Sequence, residues 1–156
     1  MNLSELGIKA RAASVLLAKM NVETKNKALI ACAEALVKES NSILEANAKD
    51  VLIGREKGMN EGLVDRLMLT EERIKGIAEG LEQVAALDDP VGEVLDMKKR
   101  PNGLLIGKKR VPLGVVGMIY EARPNVTPDA FALCFKSGNA VILRGGSDAI
   151  NSNIAI

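Results

Sequence analysis

Residues 111–146, VPLGVVGMIYEARPNVTPDAFALCFKSGNAVILRGG, decide the fold. They hold two apolar runs, 115–120 and 140–143, rich in β-branched and large aliphatic residues. Neither run alternates with polar residues, so each reads as a strand buried on both faces, the pattern of a parallel sheet. A helix is predicted between them. Thr127 suits its cap and Pro128 its first turn, where a missing N–H leaves nothing unpaired. Asp129 favours the positive end of the dipole. Phe131, Ala132 and Phe135 form an apolar stripe, and Ser137-Gly138-Asn139 ends the helix. Strand, crossover helix and strand make a βαβ unit, whose ligands bind at the carboxyl ends of the strands. Those ends carry Glu121-Ala122-Arg123-Pro124-Asn125 and Arg144-Gly145-Gly146-Ser147.

Outward from this unit, the chain is helical toward its start. Apolar spacing predicts helices over 2–19, 24–38 (capped by Thr24) and from Ser40 or Asn41 to about 53. A short helix is read at 63–67, and one from Thr70 carries Ile74, Ile77, Ala78, Leu81, Val84 and Ala85 at helical spacing. Asp88-Asp89-Pro90 closes this half. Residues 91–97 and 104–111 then flank Lys99-Arg100-Pro101-Asn102-Gly103, a β-hairpin whose Asn-Gly pair suits a tight turn. A lone hairpin has unpaired edges, so a partner subunit or more of the same chain is expected to cover it. After Gly146, Ser147 reads as the cap of a further helix. Two parallel strands leave bare edges, and the whole reads as the front part of a larger protein.

Composition narrows the function. Acids and bases nearly cancel, at 20 against 21, so nothing points to nucleic acid or an anionic membrane as partner. The basic runs Lys98-Lys99-Arg100 and Lys108-Lys109-Arg110 are read as a solvated hairpin face. Aromatics number three, so aliphatic residues must pack the core. No apolar run reaches membrane-span length, no secretory signal is legible, and two distant cysteines make no disulfide framework. The expected compartment is the cytoplasm. Histidine is absent, which removes Ser-His-Asp triads, Cys-His dyads and histidine metal sites from these residues. Cys32 reads as a small core residue. Cys134, inside the crossover helix, reads as a buried inert thiol and not a nucleophile. No metal site and no catalytic residue are expected in this chain.

Val111-Pro112-Leu113-Gly114-Val115-Val116-Gly117 and the run from Gly138 to Arg144 resemble the aldehyde dehydrogenase superfamily. Tyr120-Glu121-Ala122-Arg123-Pro124-Asn125-Val126-Thr127 resembles, more specifically, its γ-glutamyl phosphate reductase family. The resemblance covers essentially the whole chain. It implies an α/β fold: a helical N-terminal half, a β-hairpin, then the first βαβ unit of an aldehyde-dehydrogenase-like Rossmann domain, truncated. It divides the chain into residues 1–90, the helical part of the nucleotide-binding domain; 91–111, a projecting hairpin for oligomerisation; and 112–156, the start of the parallel-sheet NADP-binding domain. It implies NADPH-dependent reduction of L-glutamate 5-phosphate to the 5-semialdehyde and phosphate, in proline synthesis. The nucleophilic cysteine, which forms a thioester as phosphate leaves, is expected in a catalytic domain outside this chain. The chain alone is therefore expected to be inactive, and a homo-oligomer is expected of the whole protein.

The resemblance also implies site residues. A basic side chain at the end of the second strand reaches the adenosine ribose in the superfamily, and Arg144 stands there, followed by Gly145, Gly146 and Ser147. An arginine fork suits a 2′-phosphate, and Ser147 stands where many NAD-preferring relatives have glutamate, although Asp148 adds an acid next door. The other reading of Arg144 is a surface arginine at a strand end. Arg123 and Asn125 are candidate substrate residues. Arg123 either binds an acyl phosphate or carboxylate, or pairs locally with Glu121; Asn125 either joins it or shapes the start of the helix. Two further classes stay open: a noncatalytic nucleotide-binding remnant, and a helical interaction module whose hairpin pairs with a partner.

Overall fold

The computed structural model describes residues 2–156. Five helices come first: α1 (Leu3–Leu17), α2 (Val22–Lys38), α3 (Ser40–Glu56), α4 (Glu61–Leu67) and α5 (Glu71–Ala86). Asparagine starts three of them. Asn2, Asn21 and Asn60 each accept from the backbone N–H three residues on, and Glu5 returns a bond to the Asn2 N–H to complete a capping box. Thr24 is therefore a first-turn residue of α2, with Asn21 its cap. Thr70 does cap α5, accepting from Arg73 N at 3.1 Å. Between α2 and α3 only Glu39 intervenes, and no side chain caps α3.

The main core lies between α2 and α5. Leu29, Ala33 and Leu36 meet Ile74, Ile77, Ala78, Leu81 and Ala85, and Ile43, Leu69 and Ala132 close the cluster. A second, smaller core of Val51, Val64, Leu67 and Ala149 has Met59, Met68 and Ala122 against it, so it reaches the loop that carries the candidate site. Helix α1 stands apart from both cores. Its stripe centres on Ser14, buried at 4%, while Leu3, Ile8 and Leu16 are more than two-thirds exposed.

β1 (Val94–Lys99) and β2 (Leu105–Lys109) pair antiparallel as the hairpin. The connection spans residues 100–104, one residue on from the 99–103 read from the sequence. Arg100 N bonds Leu104 O, Gly103 alone takes positive φ (88°), and the Asn102 carboxamide accepts from Leu104 N. β3 (Val115–Ile119) and β4 (Ala140–Arg144) pair in parallel, in register from Val115 opposite Ala140 to Ile119 opposite Arg144, and α6 (Val126–Lys136) crosses between them. Neither strand is buried on both faces. β3 has no fully buried residue, and Ile119 is 86% exposed. With two strands, each is an edge, and Gly117 contributes no side chain. A 3₁₀ turn (Ser147–Ala149) and α7 (Ile150–Ala155) complete the chain.

Helix α6 ends as the sequence indicates. Gly138 N bonds Phe135 O and Asn139 N bonds Cys134 O, a Schellman pair that needs the positive φ of Gly138. A Cβ there would stand 2.9 Å from Pro112 Cγ, so the glycine also lets the helix end close on the chain entering β3.

Two lysines are buried where α6 meets the helical half. Lys25 is fully buried; its Nζ lies 2.8 Å from Asp89 Oδ2 and donates to Lys136 O. Lys136 is 3% exposed and donates to Asn26 Oδ1 and Ala85 O. Burial pushes the Asp89 carboxyl upward. The Lys25 hydrogen bond, the Val91 N–H and the Lys25 and Lys136 charges outweigh it, and the net effect lies below the ordinary carboxylate value. A carboxyl that titrates lower when folded stabilises above its unfolded pKa, near ~3.9, and loses that contribution as pH falls through the folded value. Asp89→Asn leaves Lys25 without its anion and is expected to cost about 3–5 kcal/mol at neutral pH. In urea unfolding at pH 7 and pH 3, the variant should also lose less stability on acidification than the parent.

Candidate functional site

The carboxyl ends of β3 and β4 are held together by backbone. Tyr120 N donates to Arg144 O, which extends the parallel ladder by one bond. Beyond it the two loops close tightly. A Cβ on Gly146 would come 3.0 Å from Ala122 N and 3.3 Å from the Glu121 carbonyl carbon. One on Gly145 would meet Asn153 Nδ2 and stand 3.1 Å from the Tyr120 ring and hydroxyl. These glycines are needed for close approach, since neither has positive φ. Pro124 is fully buried in the first loop.

A hydroxyl relay fixes the start of α6. Thr127 Oγ1 lies 2.7 Å from Tyr120 Oη and donates to Asn153 Oδ1 at 3.0 Å. With the Thr127 hydrogen used there, the Tyr120 hydroxyl is the donor in the other bond. Thr127 therefore does not cap α6: Asn125 holds the cap position in αR conformation with no side-chain capping bond. Ser147 likewise opens the 3₁₀ turn without capping it. Both were expected as caps, and both stand where the chain is positioned by packing from other elements.

Those elements are the early helices. Asp50 of α3, 2% exposed, accepts from the backbone N–H and amide of Asn151 and from the backbone N–H and hydroxyl of Ser152. One turn earlier, Asn47 accepts from Leu69 N and donates to Leu67 O and Ser152 Oγ. Two residues at i and i+3 on one helix thus anchor both α4's exit and α7. Sequence reading missed Asp50, Asn47, Ser152 and Asn153. The one available signal was a pair of polar residues on the inward face of α3.

The structure divides the expected site residues into two groups. Arg123 and Asn125 share a cleft of about 530 Å³ with Asp65, Arg66, Arg73 and Asp129. Arg73 is committed there, paired to Asp65 at 2.9 Å and donating to the Asp65 and Met68 carbonyls at the end of α4. Arg123 Nε lies 2.9 Å from Glu121 Oε1, so the local pair is present. Its N–H is not directed at that oxygen, and both side chains are well exposed, so the pair contributes little stability. Burial raises the Asp129 carboxyl above its usual value, against the Asn125 amide, which lowers it. Arg144 and Ser147 lie exposed at the end of β4 and the start of the 3₁₀ turn. Asp148 beside them sits 3.7 Å from Lys57 Nζ, which offsets its charge. Cys134 is 7% exposed, and burial pushes its thiol up, as suits an inert core residue. Cys32 is half-buried against the main core. Among the described residues no cluster suits a metal ion, and no helix is long and apolar enough to cross a membrane.

This arrangement has known counterparts. No family model matches the chain. A probable aldehyde dehydrogenase from Listeria monocytogenes superposes with a TM-score of 0.64 over 92% of the chain, at 16% identity, and covers 29% of that structure. The fold is therefore of the aldehyde dehydrogenase type. The gamma-glutamyl phosphate reductase of Thermotoga maritima matches with a TM-score of 0.95 and 48% identity, over 99% of this chain and 37% of its own. That of Lachnospira eligens is 60% identical over 155 residues, again 99% of this chain and 37% of the relative. The chain belongs to the gamma-glutamyl phosphate reductase family, and it spans a little over a third of the length of these relatives.

The relay is open to direct test. Thr127→Val removes the hydroxyl that Tyr120 and Asn153 share and is expected to cost about 1–3 kcal/mol, because the half-buried partners lose their bonds. Asn125→Ala removes one long, exposed contact of 3.3 Å and should stay within about 0.5 kcal/mol of the parent. Urea denaturation of both variants gives the comparison.

Proposed function

We propose that the chain is the coenzyme-side portion of a reductase that converts L-glutamate 5-phosphate to L-glutamate 5-semialdehyde. NADPH and a proton are consumed, NADP and phosphate are released, and the step serves proline biosynthesis in the cytoplasm. Family membership is the observation that carries this reading. The structure supports it through the parallel β3–α6–β4 unit, whose strand ends bring the 120–125 loop against residues 145–146.

The residues suit the nicotinamide dinucleotide that the family implies. Arg144 extends into solvent from the strand end, Gly145 and Gly146 are packed without side chains, and Ser147 adds no carboxylate. Lys57 stands 3.7 Å from Asp148 and answers that acid. Arg144, with Gly145, Gly146 and Ser147, would hold the adenosine end and its 2′-phosphate. When bound, the coenzyme supplies the hydride that reduces the acyl carbon. Arg123 and Asn125 face the substrate in this reading, the arginine offering its remaining donors to a phosphate or carboxylate. The nucleophile is not among these residues in this reading, because Cys134 is buried and Cys32 packs against the main core. Residues 1–90 and 112–156 act together as the NADP-binding part, and the chain alone should show no turnover of glutamate semialdehyde with NADP and phosphate.

Residues 91–111 serve self-association. Val94, Leu95, Met97, Leu104, Leu105 and Ile106 of the hairpin are each about half exposed or more, an apolar surface suited to a partner subunit. In the full-length protein, Leu105→Glu should shift sedimentation toward the smaller species; an unchanged profile counts against a hairpin interface.

Coenzyme choice tests the strand-end reading. A charge-assisted contact to a 2′-phosphate stabilises by roughly 1.5–3 kcal/mol, about one to two decades in affinity. Arg144→Ala in the full-length enzyme should weaken NADPH by that factor and NADH little. Ser147→Glu should act in the same direction. The ratio of kcat/KM for the two coenzymes is the measurement, and an equal loss with both would make Arg144 structural.

A further inference from the structure

A second basic cleft lies away from the strand ends, between α1 and the base of the hairpin. It encloses about 670 Å³, and its charged lining is Arg11 and Lys19 from α1 with Lys109 and Arg110 from the end of the hairpin. No carboxylate lines it. The chain as a whole is nearly balanced at +1, so four cations gathered on one cleft are a local arrangement. Arg110 pairs with Glu93 at 2.8 Å. Arg11, Lys19 and Lys109 enter no ion pair among the described residues.

Two glycines with positive φ bring backbone against the opposed cations. A Cβ on Gly114 (φ 107°) would stand 3.5 Å from Arg11 Nη1. One on Gly92 (φ 91°) would stand 3.5 Å from Lys109 Cε and 3.9 Å from its Nζ. The two groups thus rest on side-chain-free backbone on either wall. The cleft that holds Arg123 differs, since Asp65 and Asp129 line it beside its three arginines.

From this geometry we infer that the cleft binds a small, multiply charged oxyanion of the diphosphate class. Like charges gathered at the mouth of a cleft repel one another, and the field they create concentrates anions. A diphosphate carries several charges and acceptor oxygens, enough to meet an arginine fork and two lysines at once. A monovalent anion leaves most of that repulsion in place. The size fits, since small-molecule sites run from roughly 300 to 1,000 Å³. The hairpin's basic residues therefore divide. Lys98 is paired with Asp96 at 3.2 Å on the solvated ribbon, whereas Lys109 and Arg110 belong to the cleft.

The test titrates inorganic pyrophosphate into the full-length natural protein at low ionic strength, by calorimetry and thermal unfolding. Sodium chloride at matched ionic strength is the reference. Pyrophosphate should bind and raise the unfolding midpoint, and chloride should do neither. Arg11→Gln and Lys109→Gln should each weaken binding about tenfold or more, the loss of one charge-assisted contact. Lys109→Arg should restore it, and Lys98→Gln should leave it unchanged. Arg144→Ala must also leave it unchanged, which separates this cleft from the coenzyme site; loss of pyrophosphate binding in that variant overturns the inference. Equal responses to chloride, or equal binding by Arg11→Gln and Lys109→Gln, overturn it too. So does sedimentation showing that a second copy fills the cleft and that pyrophosphate binds only the dissociated chain.

Discussion

Lys25 is the group on which the packing turns, because a fully buried ammonium can persist only if every neighbour is arranged for it. Its partners are one carboxylate, Asp89, and the terminal carbonyl of α6 at Lys136. Lys136 makes the complementary bond to Ala85 O, near the end of α5. Both lysines thus meet carbonyls that their own helices leave unpaired, at the negative ends of two dipoles. The arrangement joins α2, the ends of α5 and α6, and the 88–90 segment at one point. It holds two cations against a single hydrogen-bonded acid. Burial and the Lys25 charge lower the Lys136 pKa against the Asp89 and Asp88 charges that raise it.

A second polar anchor works at the other end of the sheet and sets the strand-end loops. Asp50 and Asn47 reach from α3 to α7, and α7 carries Asn153, which closes the relay through Thr127 to Tyr120. The early helices therefore do more than cover the sheet. They fix the distance at which the two loops meet, and the glycines at 145 and 146 allow that distance to be short.

What the sequence made legible follows from which interactions are local. The Gly138 stop and the Thr70 cap depend on residues within a turn of one another, the βαβ unit on three consecutive segments with clear patterns, and all three are present. Thr127 and Ser147 look like caps by spacing, but a hydroxyl takes whichever partner the tertiary structure brings, and Thr127 takes Tyr120 and Asn153. Lys25 and Lys136 were invisible because lysine is expected at the surface, and their partners lie 64 and 51 residues away. The strands were read as buried on both faces because a run without polar residues states what could be covered, while exposure depends on how many strands stand beside it. The arginines of the candidate site were named from their motif. That Arg123 meets Arg66 and Arg73 in one cleft depends on α4 and α5 docking, which no local pattern encodes.

The second anchor also ties the strand-end loops to residues far from them in sequence. The loop bearing Arg123 is braced through Ala122 against the second core, whose buried members lie on α3, α4 and the 3₁₀ turn. Residues 144–147 are braced through Asn153 and Ser152 to the same α3. One helix thus sets both halves of the site. A cavity in the second core, or an unpaired Asp50, displaces the two loops relative to each other while leaving every site side chain intact. Small displacements matter because a charge-assisted contact weakens steeply once its geometry is lost. The polar face of α3 therefore belongs to the architecture of the strand-end loops.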